Sequence, residues 1–502
     1  MEQINNPIFR GMYPDPSICE AGGKYYLITS TFTYAPGIPI FESEDLQNWT
    51  QIGNVLETSK QLDLMDLEVS SGIFAATIRY HKEKFYIITT NAGRGGNFYV
   101  TATDPKGPWS EPVFLEHASG IDPSLFFEGE CCYYVGQRFK ADAKYYGDCE
   151  IWVQKLDLSN GTLVEEPHVL WDGAAKNVVW PEGPHLYKKD DYYYLMIAEG
   201  GTAHEHSVNI ARSKELYGPY ESCKNNPLLT HKHLGLNYPL QYIGHADLVE
   251  NTDGSWFAVM LGTRMYKGKS SMGRETFMVP VIWEEDWPVF CAGEGKIPVL
   301  PETLCGMGIV KKIIWTNPLP LCCVMLRSVL DPSIRNVLDG SLYLKLGTQK
   351  LEGEKTPSYI GIRVAEHQFS LKVPMTFLPE EGEEAGLVYY YNGDNFIRFI
   401  ISKQNNIIMT SIIKKEKSVE TCIFREKTDQ YRGSAILELQ AEKHSMSCIF
   451  NGRILAESID IAQLTTQGAG GFVGCTMGVY GYTDKENSTN YAVFGSMTVI
   501  YP

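Results

Sequence analysis

One short pattern recurs five times between residues 22 and 259 of this 502-residue chain: a polar turn, then an aromatic-rich apolar run. Residues 22–28 read Gly-Gly-Lys-Tyr-Tyr-Leu-Ile, and the same pattern returns at 82–88, 128–135, 189–196 and 252–259, with starts 46 to 63 residues apart. Each run is short and rich in strand-forming residues behind a turn, so it reads as the second strand of a hairpin. A third strand follows each copy, beginning at Phe41, Tyr99, Ile151, Ile210 and Glu275. Gly107-Pro108-Trp109 and Gly218-Pro219-Tyr220 share one turn chemistry. Almost no amphipathic helical period is present. Five copies of a small antiparallel sheet predict an all-β fold, a five-bladed β-propeller over residues 1–305. A long β-sandwich with accidental internal similarity is the alternative, and the agreement of spacing with turn chemistry counts against it.

The repeats end in a stretch containing Pro and Gly, residues 288–301. Beyond it the period is two, as in Leu342-Tyr343-Leu344-Lys345-Leu346 and residues 368–373, 385–391 and 396–400. Turns such as Asn392-Gly393 and Asn451-Gly452 join such runs. Residues 306–502 therefore read as a second domain, a β-sandwich. Tyr389, Tyr390 and Tyr391 alternate faces there, and core packing is expected for most of them ahead of sugar binding. The acidic run from Glu380 to Glu384 reads as a solvated loop.

Composition narrows the partners. Lys plus Arg number 44 and Asp plus Glu 60, so the net charge is 44 − 60 = −16. That balance argues against nucleic acid or an anionic membrane surface and suits a neutral substrate. The stretch from Met1 to Met12 lacks the apolar core of a secretory signal, and no apolar run approaches the roughly 18 residues of a membrane span. The twelve cysteines include the adjacent pairs Cys131-Cys132 and Cys322-Cys323 but no Cys-x-x-Cys. Reduced, mostly buried thiols in a cytoplasmic protein are the expectation, with no zinc ribbon.

The segments just before the hairpins carry the chemistry. In a propeller the first strand of each blade lines the axis, so matching residues of different blades converge. Aligned on the apolar residue three further on, Asp15, Ala75, Asp122, Gly183 and His245 are equivalent, and Glu182 stands one residue earlier, nearer the mouth. Three acids and one histidine then surround an axial pocket. Singly, Asp-Pro-Ser opens turns, and a lone histidine is usually a satisfied core residue. The equivalence of the positions is what makes them a candidate site. Crowded carboxyls push their pKa values apart, so one stays protonated as an acid while another serves as a base. This is the equipment for glycosidic bond hydrolysis, with a carboxyl separation of about 6.5–9.5 Å for inversion and about 5–5.5 Å for retention.

Pro14-Asp15-Pro16-Ser17-Ile18, Ile121-Asp122-Pro123-Ser124-Leu125-Phe126 and Trp180-Pro181-Glu182-Gly183-Pro184-His185-Leu186-Tyr187 resemble the three signature segments of glycoside hydrolase family 43. Ala198-Glu199-Gly200-Gly201-Thr202, Gly244-His245-Ala246 and Gly273-Arg274-Glu275-Thr276 resemble its β-xylosidase and α-L-arabinofuranosidase branch. The resemblance implies an inverting, exo-acting enzyme on xylo- or arabino-oligosaccharides. It implies Asp15 as general base, Glu182 as general acid, and Asp122 as the residue that orients the acid, keeps its pKa up and binds sugar. Arg274 would bind sugar hydroxyls beside the base, and Phe32 would form an aromatic wall. His245 would hold water or a structural ion such as calcium beneath the sugar; no cofactor is required and no metal ligands are assigned. The second domain resembles the family's jelly-roll-like domain, which packs on the propeller and helps close the pocket. The family's Trp-Ala-Pro-Asp of blade two is here Phe74-Ala75-Ala76-Thr77. Phe74 keeps an aromatic surface for substrate, and Thr77 removes a charge near the pocket's outer shell. The choice between xyloside and arabinofuranoside stays open, as does homo-oligomer formation. The alternative to an enzyme is a catalytically idle propeller that binds sugar as a lectin or sensor.

Overall fold

Tight turns between aromatic-rich strands build the first part of the chain. The computed structural model describes residues 4–300 and 308–502. Gly22 and Gly23, at φ 62° and 80°, and Lys82 and Glu83, at 49° and 59°, join the first two strands of their blades. A two-residue loop with both φ positive matches the right-handed twist of the strands it joins.

Five antiparallel sheets follow in chain order. Their innermost strands are Ser17–Ala21, Thr77–His81, Ser124–Glu128, Glu182–Lys189 and Leu240–Glu250. Each packs against the next, and the fifth packs against the first, closing a ring. The N-terminal segment makes the final seam with the fifth blade. Phe9 bridges Thr276 in the third strand of the fifth blade, while the Asn6 side chain exchanges hydrogen bonds with the Met278 backbone at 2.7 and 2.9 Å.

The apolar interior is divided among the blade junctions. Ile28 and Ile87 lie in one buried cluster, Ile88 and Trp152 in the next, then Phe126 and Leu195, then Met260 and Phe277. Phe9, Leu27 and Val259 fill the seam between the fifth blade and the first. Alternate side chains of each strand face opposite neighbours, so one strand feeds two cores.

The second domain is a sandwich of a nine-stranded and a six-stranded sheet, both antiparallel. Strand Gln368–Thr376 shows the half-buried alternation in full. The expected division between residues 305 and 306 lies outside the described residues. The last propeller strand is Trp287–Phe290, and the next described strand, Ile309–Ile313, pairs with Met497–Tyr501 of the sandwich. Two readings are refined. Tyr389, Tyr390 and Tyr391 are all fully buried. The acidic run is not simply solvated: Glu383 is 1% exposed and accepts from Asn490 and Ser488, and Glu384 pairs with Arg398 at 2.5 Å. Sequence showed the charges but not these partners, two of which lie 105 and 107 residues on, in the loop before strand Tyr491–Phe494, and the third on the paired strand Asn395–Gln404.

The two domains share one apolar core. Met12, Phe32, Tyr34 and Met272 of the propeller lie in the same buried cluster as Tyr359 and Tyr389 of the sandwich. Strand Met325–Leu326 pairs with Tyr34–Ala35 of the first blade.

Candidate active site

Four of the five equivalent positions adopt the same unusual backbone. Asp15, Asp122, Gly183 and His245 have φ of 53°, 54°, 56° and 52°. This left-handed conformation costs a non-glycine residue about 1–3 kcal/mol, a cost that persists only where the surroundings enforce it. It turns the chain just before the inner strand in blades one and three and at a break in strand register in blades four and five, and aims the residue at the axis. Glycine is needed at 183 on a second count, since a Cβ there would lie 2.9 Å from the His245 ring. Ala75 is the exception, in the blade whose inner edge is split into Gly72–Ile73 and Thr77–His81.

The residues so aimed line one cavity of about 400 Å³, with Asp15, Asp122, Glu182, His245, Arg274, Phe32 and Phe74 all in its wall. Ligand pockets run from roughly 300 to 1,000 Å³, so this one is at the small end. Asp15 is buried, accepts from the Ser30 hydroxyl at 2.6 Å, and is bridged by Arg274 at 3.0 and 3.5 Å. Arg274 thus spends its charge on Asp15, while Glu275 turns the other way to Arg264. Asp122 accepts from the Gly183 amide, which brings it beside Glu182. Burial raises Glu182 well above the usual carboxylate range, and the neighbouring charge of Asp122 adds to the push against the pull of Arg274. Asp122 is also raised, by burial first, with His245 opposing and Asp15 adding. Two of the cavity's carboxyls thus hold their protons toward higher pH than an ordinary carboxyl does.

Aromatic rings form the apolar side. Phe32 and Phe74 meet edge to face at 5.6 Å. A third ring, Phe472, comes from the sandwich, stacked on Phe32 at 6.2 Å and edge to face with Phe74 at 6.0 Å. The Arg274 guanidinium lies 5.7 Å from the Phe32 ring and 5.6 Å from that of Phe472. Sequence reasoning missed Phe472. It stands about 200 residues from any motif, and only docking of the domains brings it to the pocket. Tyr146, Trp180, Thr202 and His206 also line the cavity without having been singled out. Trp180 lay in a quoted motif, and its φ of 55° was the missing information. Its ring meets Tyr146 at 5.1 Å and Phe139 at 5.4 Å, and Tyr146 is 81% exposed, an aromatic rim at the mouth.

Thr77 stands behind the cavity wall, against the residue that follows Asp122. It is buried, donates to the Pro123 carbonyl at 3.0 Å, and does not line the cavity. The position seals the junction between blades two and three. Below the cavity, Asp247 gathers four blades. It accepts from Ser17 at 2.6 Å, Arg79 at 2.8 Å and Tyr187 at 2.6 Å, and Arg79 also meets His185 at 2.8 Å. Against the upward push of burial, the Arg79 charge, His185 and these hydrogen bonds hold Asp247 below the usual carboxylate range. Among the described residues, no group of three His, Cys, Asp or Glu side chains is disposed to hold a metal ion.

Known proteins share this architecture. Residues 4–288 match the model for glycosyl hydrolases family 43, and residues 316–499 match that for the beta xylosidase C-terminal concanavalin A-like domain. A xylosidase/arabinosidase of Butyrivibrio fibrisolvens is 43% identical, covering 99% of both chains. A non-reducing end alpha-L-arabinofuranosidase of Bacteroides ovatus is 37% identical, covering 98% of this chain and 93% of its own. The solved structure of a xylan beta-1,4-xylosidase from Bacillus halodurans superposes with a TM-score of 0.90 at 29% identity, covering 99% of this chain and all of that one.

Proposed function

The chain belongs to glycosyl hydrolase family 43, and we propose that it releases single β-D-xylose or α-L-arabinofuranose units from the ends of short plant-derived oligosaccharides, with inversion. The observation that carries this reading is the convergence of three buried carboxyls in one small cavity, one tied to a guanidinium and another held protonated by burial. Asp15 is the base that takes a proton from water, whose oxygen attacks the anomeric carbon. Glu182 gives its proton to the departing glycosidic oxygen as that bond breaks. Asp122 keeps Glu182 protonated through its own charge and offers its free lone pairs to the sugar. Arg274 holds Asp15 in place and presents its remaining N–H groups to hydroxyls. Phe32, Phe74 and Phe472 shape the apolar side, and the Tyr146–Trp180 rim receives the next sugar. The names of relatives support both sugars and action at non-reducing ends.

Work on imported oligosaccharides inside the cell is part of this reading. All eleven described cysteines are unpaired and eight are buried, which suits a reducing compartment.

The test is the initial rate on aryl β-D-xylopyranoside and aryl α-L-arabinofuranoside at matched concentration. Turnover of at least one is expected. Turnover of neither, with xylose or arabinose still binding, would replace the enzyme with the sugar-binding propeller.

A further inference from the structure

A buried chain of charges runs from the sandwich to the residue next to Arg274. Arg264, 1% exposed, grips Glu275 through two hydrogen bonds of 2.7 Å. Its third arm reaches Glu366 of the sandwich at 2.7 Å, and it also donates to the Ala365 carbonyl at 2.7 Å. The other oxygen of Glu366 takes Arg10 at 2.5 Å. Glu275 additionally accepts the Gly11 amide at 2.8 Å. Two cations and two anions thus tie the fifth blade, the N-terminal segment and the sandwich together.

Arg274 stands at a bend directly before the strand that opens at Glu275, and the two side chains pair with different partners, Arg274 with Asp15 and Glu275 with Arg264, so anchoring Glu275 on the sandwich side fixes the backbone from which Arg274 enters the cavity. Backbone contacts fix the same segment. The Cys475 amide donates to the Ser271 carbonyl at 2.6 Å, and the Tyr13 amide to the Arg274 carbonyl at 3.1 Å. A Cβ on Gly273 would come within 2.8 Å of the Gly474 nitrogen, so no side chain fits between these two segments. We infer that Glu366 is a positioning residue for catalysis: through Arg264 and Glu275, the sandwich sets where Arg274 meets Asp15. Glu366 touches no substrate; it acts through two other side chains. This inference rests on the roles of Asp15 and Arg274 given above.

The test is a double-mutant cycle on the full chain with an aryl glycoside. Glu366→Gln keeps the shape and removes the charge; Arg274→Ala removes the group through which it acts. Glu366→Gln is expected to lower kcat/KM about tenfold in the wild-type background and to change little once Arg274 is Ala. Glu366→Asp keeps the charge but shortens its reach; it is expected to act in the same direction and serves where the Gln variant does not fold. An equal fall in both backgrounds, in a variant that melts cooperatively, would reduce Glu366 to a general structural role. No fall in the wild-type background would overturn the inference outright. The role of Asp15 as the base fails on a separate reading, namely full activity in Asp15→Ala, and the proposed function fails on turnover of neither aryl glycoside by the wild-type chain.

Discussion

A carboxyl is an acid catalyst only while it holds its proton, and Glu182 holds its proton because it is buried beside Asp122. Raised proton affinity keeps the acid form present toward higher pH, and activity falls on the alkaline side as Glu182 loses its proton. Glu182→Gln is expected to cost about 10²–10⁴-fold on disaccharides with poor leaving groups and far less on dinitrophenyl glycosides, which need no proton. Equal losses on both classes would remove Glu182 from the acid role. The three acids were legible in the sequence because each sits in a short run whose position within the repeat is fixed. Phe472 was not, since nothing local distinguishes it from a core aromatic. Its ring supplies a wall, and a lost stack of this kind is worth about 0.5–1.5 kcal/mol. Phe472→Ala should therefore raise KM several-fold with a smaller change in kcat, as read from initial rates.

At the scale of elements, the hairpins were readable because turn chemistry and strand composition agree within ten residues or so. The split inner edge of blade two was not, since Phe74-Ala75-Ala76 between its two strands carries no Gly, Pro or Asn to mark a break. Loops at the mouth carry the aromatic rim. The Trp180 amide donates to the Gly147 carbonyl at 2.8 Å, and the Tyr145 hydroxyl to the Val178 carbonyl at 2.8 Å, so two loops hold each other and present Tyr146 to solvent. Tyr146→Ala is expected to lower kcat/KM several-fold on oligosaccharides while leaving competitive inhibition by free monosaccharide unchanged. A weakened monosaccharide would place Tyr146 in the inner pocket instead.

For the molecule as a whole, Asp247 is the pin of the propeller. One carboxylate meets groups from blades one, two and four from its place in blade five. Asp247→Asn leaves Arg79 charged, buried and unmatched, and such a break costs about 3–5 kcal/mol, measurable as a lower urea midpoint at neutral pH. A carboxyl held low when folded stabilises above its unfolded value of about 3.9, and that contribution fades as pH falls through its folded value. The gap between variant and wild type should therefore narrow in acid. A constant gap would mean that packing, not charge, is what the substitution disturbs.

The seam at Asn6 and Met278 spans 272 residues of chain. During synthesis at about 5–20 residues per second, roughly 15–55 s separate the emergence of the two partners. Blades one to four can assemble in that interval with the ring still open and the inner edge of blade one uncovered. The strands of the fifth blade finish the circle, and those of the sandwich, which emerge after them, then lock it. A ribosome stalled before the fifth blade would hold a chain with most of its hairpins formed, an exposed apolar seam along blade one, and no complete catalytic pocket.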